Sequence, residues 1–69
     1  MSNEYKDWVL DEAQNRALEW CGSGSHIEYI GPQDKDGIYL GLLDTYNTKY
    51  LIYVKFDNWD LYDVKGKQI

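Results

Sequence analysis

The sequence predicts an α+β fold: an N-terminal helix packed on one face of a three- to four-stranded antiparallel β-meander. Three observations lead there. Apolar residues in the first third recur at helical spacing, a Gly-Ser-Gly-Ser run at residues 22–25 ends that pattern, and the remainder alternates at period two between turn signals.

The helix is expected over residues 3–21. Ser2 or Asn3 can cap its first amides, and Glu4 and Asp7 suit the positive end of its dipole. Tyr5, Val9, Leu10, Ala13, Ala17, Trp20 and Cys21 fall on one arc, whose two central alanines allow close approach to a sheet. Lys6 also points into this arc, from a first turn where its stem can snorkel outward. Leu18 widens the arc on its flank. Gly22 stops the helix, since glycine takes a left-handed conformation at little cost.

Strands are expected over residues 26–30, 38–43, 50–56 and 59–64, giving the order α-β-β-β-β. Residues 31–37 and 44–49 form loops. Asp57-Asn58 can make a two-residue hairpin turn because both residues tolerate positive φ. Residues 65–69 are expected to fray. Loops this short favour a meander, and residues 1–69 read as a single domain. Alternation then sorts the side chains. Ile38, Leu40, Leu42, Ile52, Val54 and Phe56, joined by Trp59 and Leu61, are assigned to the core under the helix. Tyr29, Tyr39, Leu43, Leu51, Tyr53 and Tyr62 take the opposite parity, a face that one helix leaves uncovered.

Of 69 residues, 43% are hydrophobic and 16% aromatic, enough for a core near the lower limit for folding without disulfides or metal. Little chain remains for a cofactor cleft and a catalytic constellation, so no enzyme, cofactor or metal is expected. Cys21 is the single cysteine and can form no intramolecular disulfide. That points to a reducing, cytoplasmic setting. No apolar run approaches the roughly 20 residues that cross a bilayer, and the N-terminus is too polar for a signal peptide; no membrane partner is expected.

The net charge is −5, from 12 acidic and 7 basic residues. Residues 1–24 carry Glu4, Asp7, Asp11, Glu12 and Glu19 against Lys6 and Arg16, whereas residues 50–69 balance Asp57, Asp60 and Asp63 with Lys55, Lys65 and Lys67. No basic patch stands out, which argues against nucleic acid as a direct ligand.

Two surfaces are candidate binding sites. Tyr29, Tyr39, Tyr53 and Tyr62 would give the bare sheet face large rigid side chains with water-tolerant hydroxyls, a composition common at interfaces. The plainer reading is that tyrosine is at home half-exposed on an open sheet. The second surface is Trp8, on a helix face with Glu4, Asp11, Glu12, Asn15 and Glu19, where it could anchor a partner presenting Arg or Lys. Alternatively Trp8 folds over the sheet edge, and the acidic row is solvated surface. A sharper reading of that row, extended by Asp57, Asp60 and Asp63, is mimicry of a phosphate backbone in a basic groove.

Chemical signals are weaker. Cys21 and His26 could act as nucleophile and base, or as two metal ligands, but no orienting acid and no further soft ligands accompany them. Asp34-Lys35-Asp36-Gly37 echoes a calcium loop, yet Thr45 stands where the closing glutamate belongs; a turn explains the run. Gly22-Ser23-Gly24 ends a helix instead of opening one, the wrong polarity for an anion.

In size and charge the chain resembles the many small single-domain proteins of phages and other mobile elements, an analogy that no motif carries. It implies a non-catalytic protein-binding domain: a small acidic inhibitor or modulator of a larger nucleic-acid-handling protein, of the anti-CRISPR or anti-restriction type. The alternative is a structural or assembly role, as a homodimer or small subunit joined through the tyrosine-rich face.

Overall fold

The computed structural model describes residues 7–69, with side chains from Trp8 onward. The expected helix start at residue 3, its cap at Ser2 or Asn3, and the parts assigned to Glu4, Tyr5, Lys6 and the Asp7 side chain lie outside the described residues. Helix α1 spans Asp7–Cys21. It is followed by β1 (His26–Gln33), β2 (Gly37–Leu43), β3 (Lys49–Lys55) and β4 (Leu61–Tyr62). The strands form one antiparallel sheet in sequence order, β1-β2-β3-β4, and α1 packs on one of its faces. The expected helix-on-meander fold is the one observed.

The core lies between α1 and the sheet. Ala13 and Ala17 are fully buried, as are Leu40, Leu42, Ile52 and Val54, with Ile38 nearly so. Methyl side chains on the inner stripe of α1 let its backbone come close to the sheet, so the four large aliphatic side chains fill the gap. Leu10, Leu18, Cys21, Ile27, Tyr50, Phe56, Trp59 and Leu61 close the margins. Trp20, at the end of the apolar arc, stands partly in solvent and packs edge-on against Tyr50, with ring centroids 5.5 Å apart.

Four local features differ from the sequence expectation. First, β1 runs on through Pro32 to Gln33 instead of ending at Ile30. Its register against β2 shifts twice, between Ile27 and Tyr29 and between Ile30 and Gln33. An edge strand tolerates both a proline without an amide and the bulges that such shifts represent. Second, β2 begins at Gly37, one residue earlier than expected, and β3 begins at Lys49 and ends at Lys55, one residue earlier at each end.

Third, the β3–β4 connection is no two-residue turn at Asp57-Asn58. The Trp59 amide donates to the Lys55 carbonyl and the Lys55 amide to the Asp60 carbonyl, which makes a longer loop and shortens β4 to two residues. The residue with positive φ is Trp59, at 63°. A left-handed tryptophan costs about 1–2 kcal/mol, which burial of its indole against the core and Phe56 offsets. Fourth, residues 65–69 fold back. Tyr62 bridges Gln68, and the Ile69 amide donates to the Leu61 carbonyl.

Aspartates build three of the turns. Asp34 Oδ1 accepts the amides of Asp36 and Gly37, Asp44 Oδ1 those of Tyr46 and Thr48, and Asp63 Oδ1 those of Lys65 and Lys67. A carboxylate that accepts two amides at a loop entry replaces backbone pairing that the turn cannot supply. The Asp34-Lys35-Asp36-Gly37 run is thus an aspartate turn.

Hydrogen bonds hold all three carboxyls below the usual value of 3.8: chiefly from the Tyr53 hydroxyl at Asp34, the Thr48 amide at Asp44 and the Lys67 amide at Asp63. A depressed carboxyl adds stability that is fully present above its unfolded pKa and is lost as pH falls through the folded one. Stability supplied by these groups should therefore be constant down to about pH 4 and fall below it. Asn at positions 34, 44 and 63 keeps the accepting oxygen and removes the charge. The Asp34→Asn/Asp44→Asn/Asp63→Asn variant should lose less stability between pH 4 and pH 2.5 than the parent chain in urea titrations; equal losses would contradict the assignment.

The alanine spacing is tested separately. Ala13→Leu should destabilise by about 1–3 kcal/mol through overpacking, and Leu40→Ala by about 2–5 kcal/mol through a cavity, both read from urea midpoints.

Candidate functional site

The face of the sheet away from α1 is set by register. Tyr39 lies opposite Tyr53, and Tyr53 opposite Tyr62, on neighbouring strands. The Tyr39 and Tyr53 rings touch, with centroids 4.8 Å apart. Tyr29 joins them because Glu28 is an extra residue in β1: Ile27 pairs with Leu42 on the core face, while Tyr29 pairs with Gly41 on the other. The bulge lets one short strand put Ile27 into the core and Tyr29 on the bare face. All four predicted tyrosines, one from each strand, thus form a row across the sheet.

Glycines make room for the row. A Cβ at Gly41 would come within 3.0 Å of the Tyr29 Cβ, and one at Gly37 within 2.6 Å of the Tyr53 ring. Each side chain therefore lies flat along its neighbouring strand where any larger residue would lift it.

Tyr29 is 54% exposed, Tyr39 38% and Leu51, between them and Lys49, 44%. Tyr53 and Tyr62 are half-buried. The Tyr53 hydroxyl donates to Asp34 Oδ1 at 2.8 Å, so one carboxylate oxygen both shapes the β1–β2 turn and fixes this ring. Burial, then the Asp34 hydrogen bond and charge, push the Tyr53 phenol well above its usual value. It is neutral throughout the physiological range and stays a hydrogen-bond donor.

Lysines flank the row. Lys49 and Lys55 occupy the two ends of β3 on this same face, and the Lys55 ammonium lies over the Tyr62 ring, 5.7 Å from its centroid. Beyond Tyr62 the face continues into an open cleft of about 390 Å³, lined by Tyr39, Tyr53, Lys55, Tyr62, Asp63 and the turn at Val64, Lys65 and Gly66. Leu51 lies on the face its parity predicts, and Lys49 and Lys55 join it there without having been expected. Their parity with Leu51 and Tyr53 along β3 is the signal that could have found them.

The helix residues form a separate set on the other side of the molecule. Trp8 is 62% exposed, and Asp11, Asn15 and Glu19 are exposed along the same side of α1. Glu12 differs: its Oε2 accepts from Arg16 Nε at 2.6 Å, and the Arg16 guanidinium in turn lies 6.0 Å from the Trp59 ring centroid. Part of the acidic row is therefore neutralised by a helix-surface pair that leans on the β3–β4 loop.

Cys21 is half-buried at the end of α1 and packs against the core, while His26 is exposed at the start of β1. Among the described residues no three of His, Cys, Asp and Glu come together as a metal site. No described helix is long and apolar enough to cross a membrane. Compared with protein-family models, curated proteins and solved structures, the chain matches none.

Proposed function

We propose that the chain is a non-catalytic protein-binding domain whose contact surface is the tyrosine face, and that it modulates a larger protein by occupying part of its surface. The observation that carries this reading is the continuous row of Tyr29, Tyr39, Tyr53 and Tyr62 with Leu51, on a face that nothing in the described chain covers. Contiguous apolar surface of this kind is disfavoured on a free monomer and marks interaction sites. Two phenol rings in contact, one of them tied to Asp34, are also already ordered, so docking forfeits little side-chain entropy.

Both sheet edges are poor docking points, which leaves the face. On β1, Pro32 and two register shifts interrupt the outer edge. On β4, Tyr62 and Leu61 already bond to Gln68 and Ile69. The acidic helix row gives weaker support. Among the described residues of the row, Glu12 is paired, and Asp11 and Glu19 stand about 12 Å apart along the axis. A basic groove on the partner is therefore a secondary contact in this reading.

Affinity capture compares the parent chain with two surface variants. The parent should recover a stoichiometric protein partner, Tyr29→Ser/Tyr39→Ser/Leu51→Ser should lose it, and Trp8→Ala/Glu19→Lys should retain it. Loss on the helix variant alone would transfer the site to α1. Absence of any stoichiometric partner, with sedimentation showing a dimer that the tyrosine variant abolishes, would favour the homodimer.

A further inference from the structure

Charge on the tyrosine face is positive at its ladder positions and mixed at its margins. The chain carries −5 overall, yet the ladder positions of the tyrosine face hold no carboxylate. β1 contributes His26 and Tyr29, β2 contributes Gly37, Tyr39, Gly41 and Leu43, β3 contributes Lys49, Leu51, Tyr53 and Lys55, and β4 contributes Tyr62. The charged groups among them are the two lysines. Asp34, which accepts the Tyr53 hydroxyl, and Asp63, which lines the cleft, place carboxylates at the margins of the face, and the exposed Glu28 is the bulge residue beside Tyr29.

We propose that this face docks an acidic protein segment: an apolar stretch bracketed by carboxylates that meet Lys49 at one end and Lys55 at the other. The inference rests on the tyrosine face being the binding surface and names the chemistry of its partner. Lys49 and Lys55 are six residues apart on one strand, so their Cα atoms are separated by about 20 Å. Leu51, Tyr53 and Tyr39 lie between them without a cation. A partner that fits puts apolar side chains over this middle and a carboxylate at each end. At the Lys55 end the cleft beside Tyr62 also holds Lys65, with Asp63 as its one carboxylate among the described residues.

A single-stranded nucleic acid fits less well, although tyrosines can stack on bases. A phosphodiester chain carries a charge at every nucleotide. Several phosphates would lie over Leu51 and Tyr53 with no lysine to meet them.

Selection of random displayed dodecapeptides on the parent protein tests the assignment, with affinities then measured by fluorescence anisotropy. Enriched peptides should carry Asp or Glu on both sides of an apolar centre. Their affinity should fall at least tenfold in Lys49→Glu/Lys55→Glu and several-fold in Lys49→Gln/Lys55→Gln, whose side chains keep the packing on Tyr62; an oligothymidylate should not displace them. Peptides without acidic bias, or indifferent to both lysine variants, would overturn the proposed partner and leave the tyrosine face standing. Displacement by the oligothymidylate at similar concentration would replace the protein segment by nucleic acid. No enrichment, or equal binding to Tyr39→Ser/Leu51→Ser, would overturn the partner and the surface together.

Discussion

A single helix lies on one face of a four-stranded sheet, held there by two alanines that bring its backbone close to Leu40, Leu42, Ile52 and Val54. This two-layer contact supplies the fully buried core, and the rest of the molecule is arranged around it. Because one helix reaches only one side, each strand must carry two incompatible chemistries at alternate positions. β2 and β3 do so cleanly: Ile38, Leu40 and Leu42 face in where Tyr39 and Leu43 face out, and Ile52 and Val54 alternate with Leu51 and Tyr53. Among the described residues, no second layer covers the other face.

Three aspartates at loop entries show how a short chain closes its hairpins. In each, one carboxylate oxygen takes two turn amides. Two of them also hold a tyrosine: Asp34 takes the Tyr53 hydroxyl on the bare face, and Asp44 Oδ2 that of Tyr50 beside the core. A turn and a ring on each side of the sheet are thus locked by the same group. The acidity of the sequence is in part this turn chemistry, and only the remainder is available to a partner.

Periodicity made the layered architecture legible, together with the core and the face each central strand presents to solvent. The alanine pair, the isoleucine–leucine alternation of β2 and the mixed aliphatic–aromatic alternation of β3 each carry one period and one reading. What escaped was set by contacts distant in sequence or by local irregularity. The extra residue at Glu28 depends on pairing with β2 and leaves no mark on β1 itself. Asp57-Asn58 has turn chemistry, but tertiary burial of Trp59 decides the loop and moves the positive φ onto tryptophan. The bond from Tyr53 to Asp34 joins residues 19 apart. Of the candidate site, the tyrosines were visible and the lysines beside them were not, because a lysine on a strand reads as ordinary solvated surface until its neighbours are known.

Tyrosine suits a face that must serve two states. In the free molecule Tyr39, Tyr53 and Tyr62 stabilise the sheet as cross-strand neighbours, while their hydroxyls keep the surface wettable in a way leucine would not. In a complex the same rings offer rigid apolar area with few rotamers left to lose. Lys55 follows the same logic, since its stem and ammonium cover Tyr62 and keep a positive charge on the face. Glutamate at that position would repel an acidic partner and also forfeit the cation–π contact. The contacts that make this half of the sheet stable without a second layer are thus the ones that leave it charged and shaped for a partner of the opposite sign.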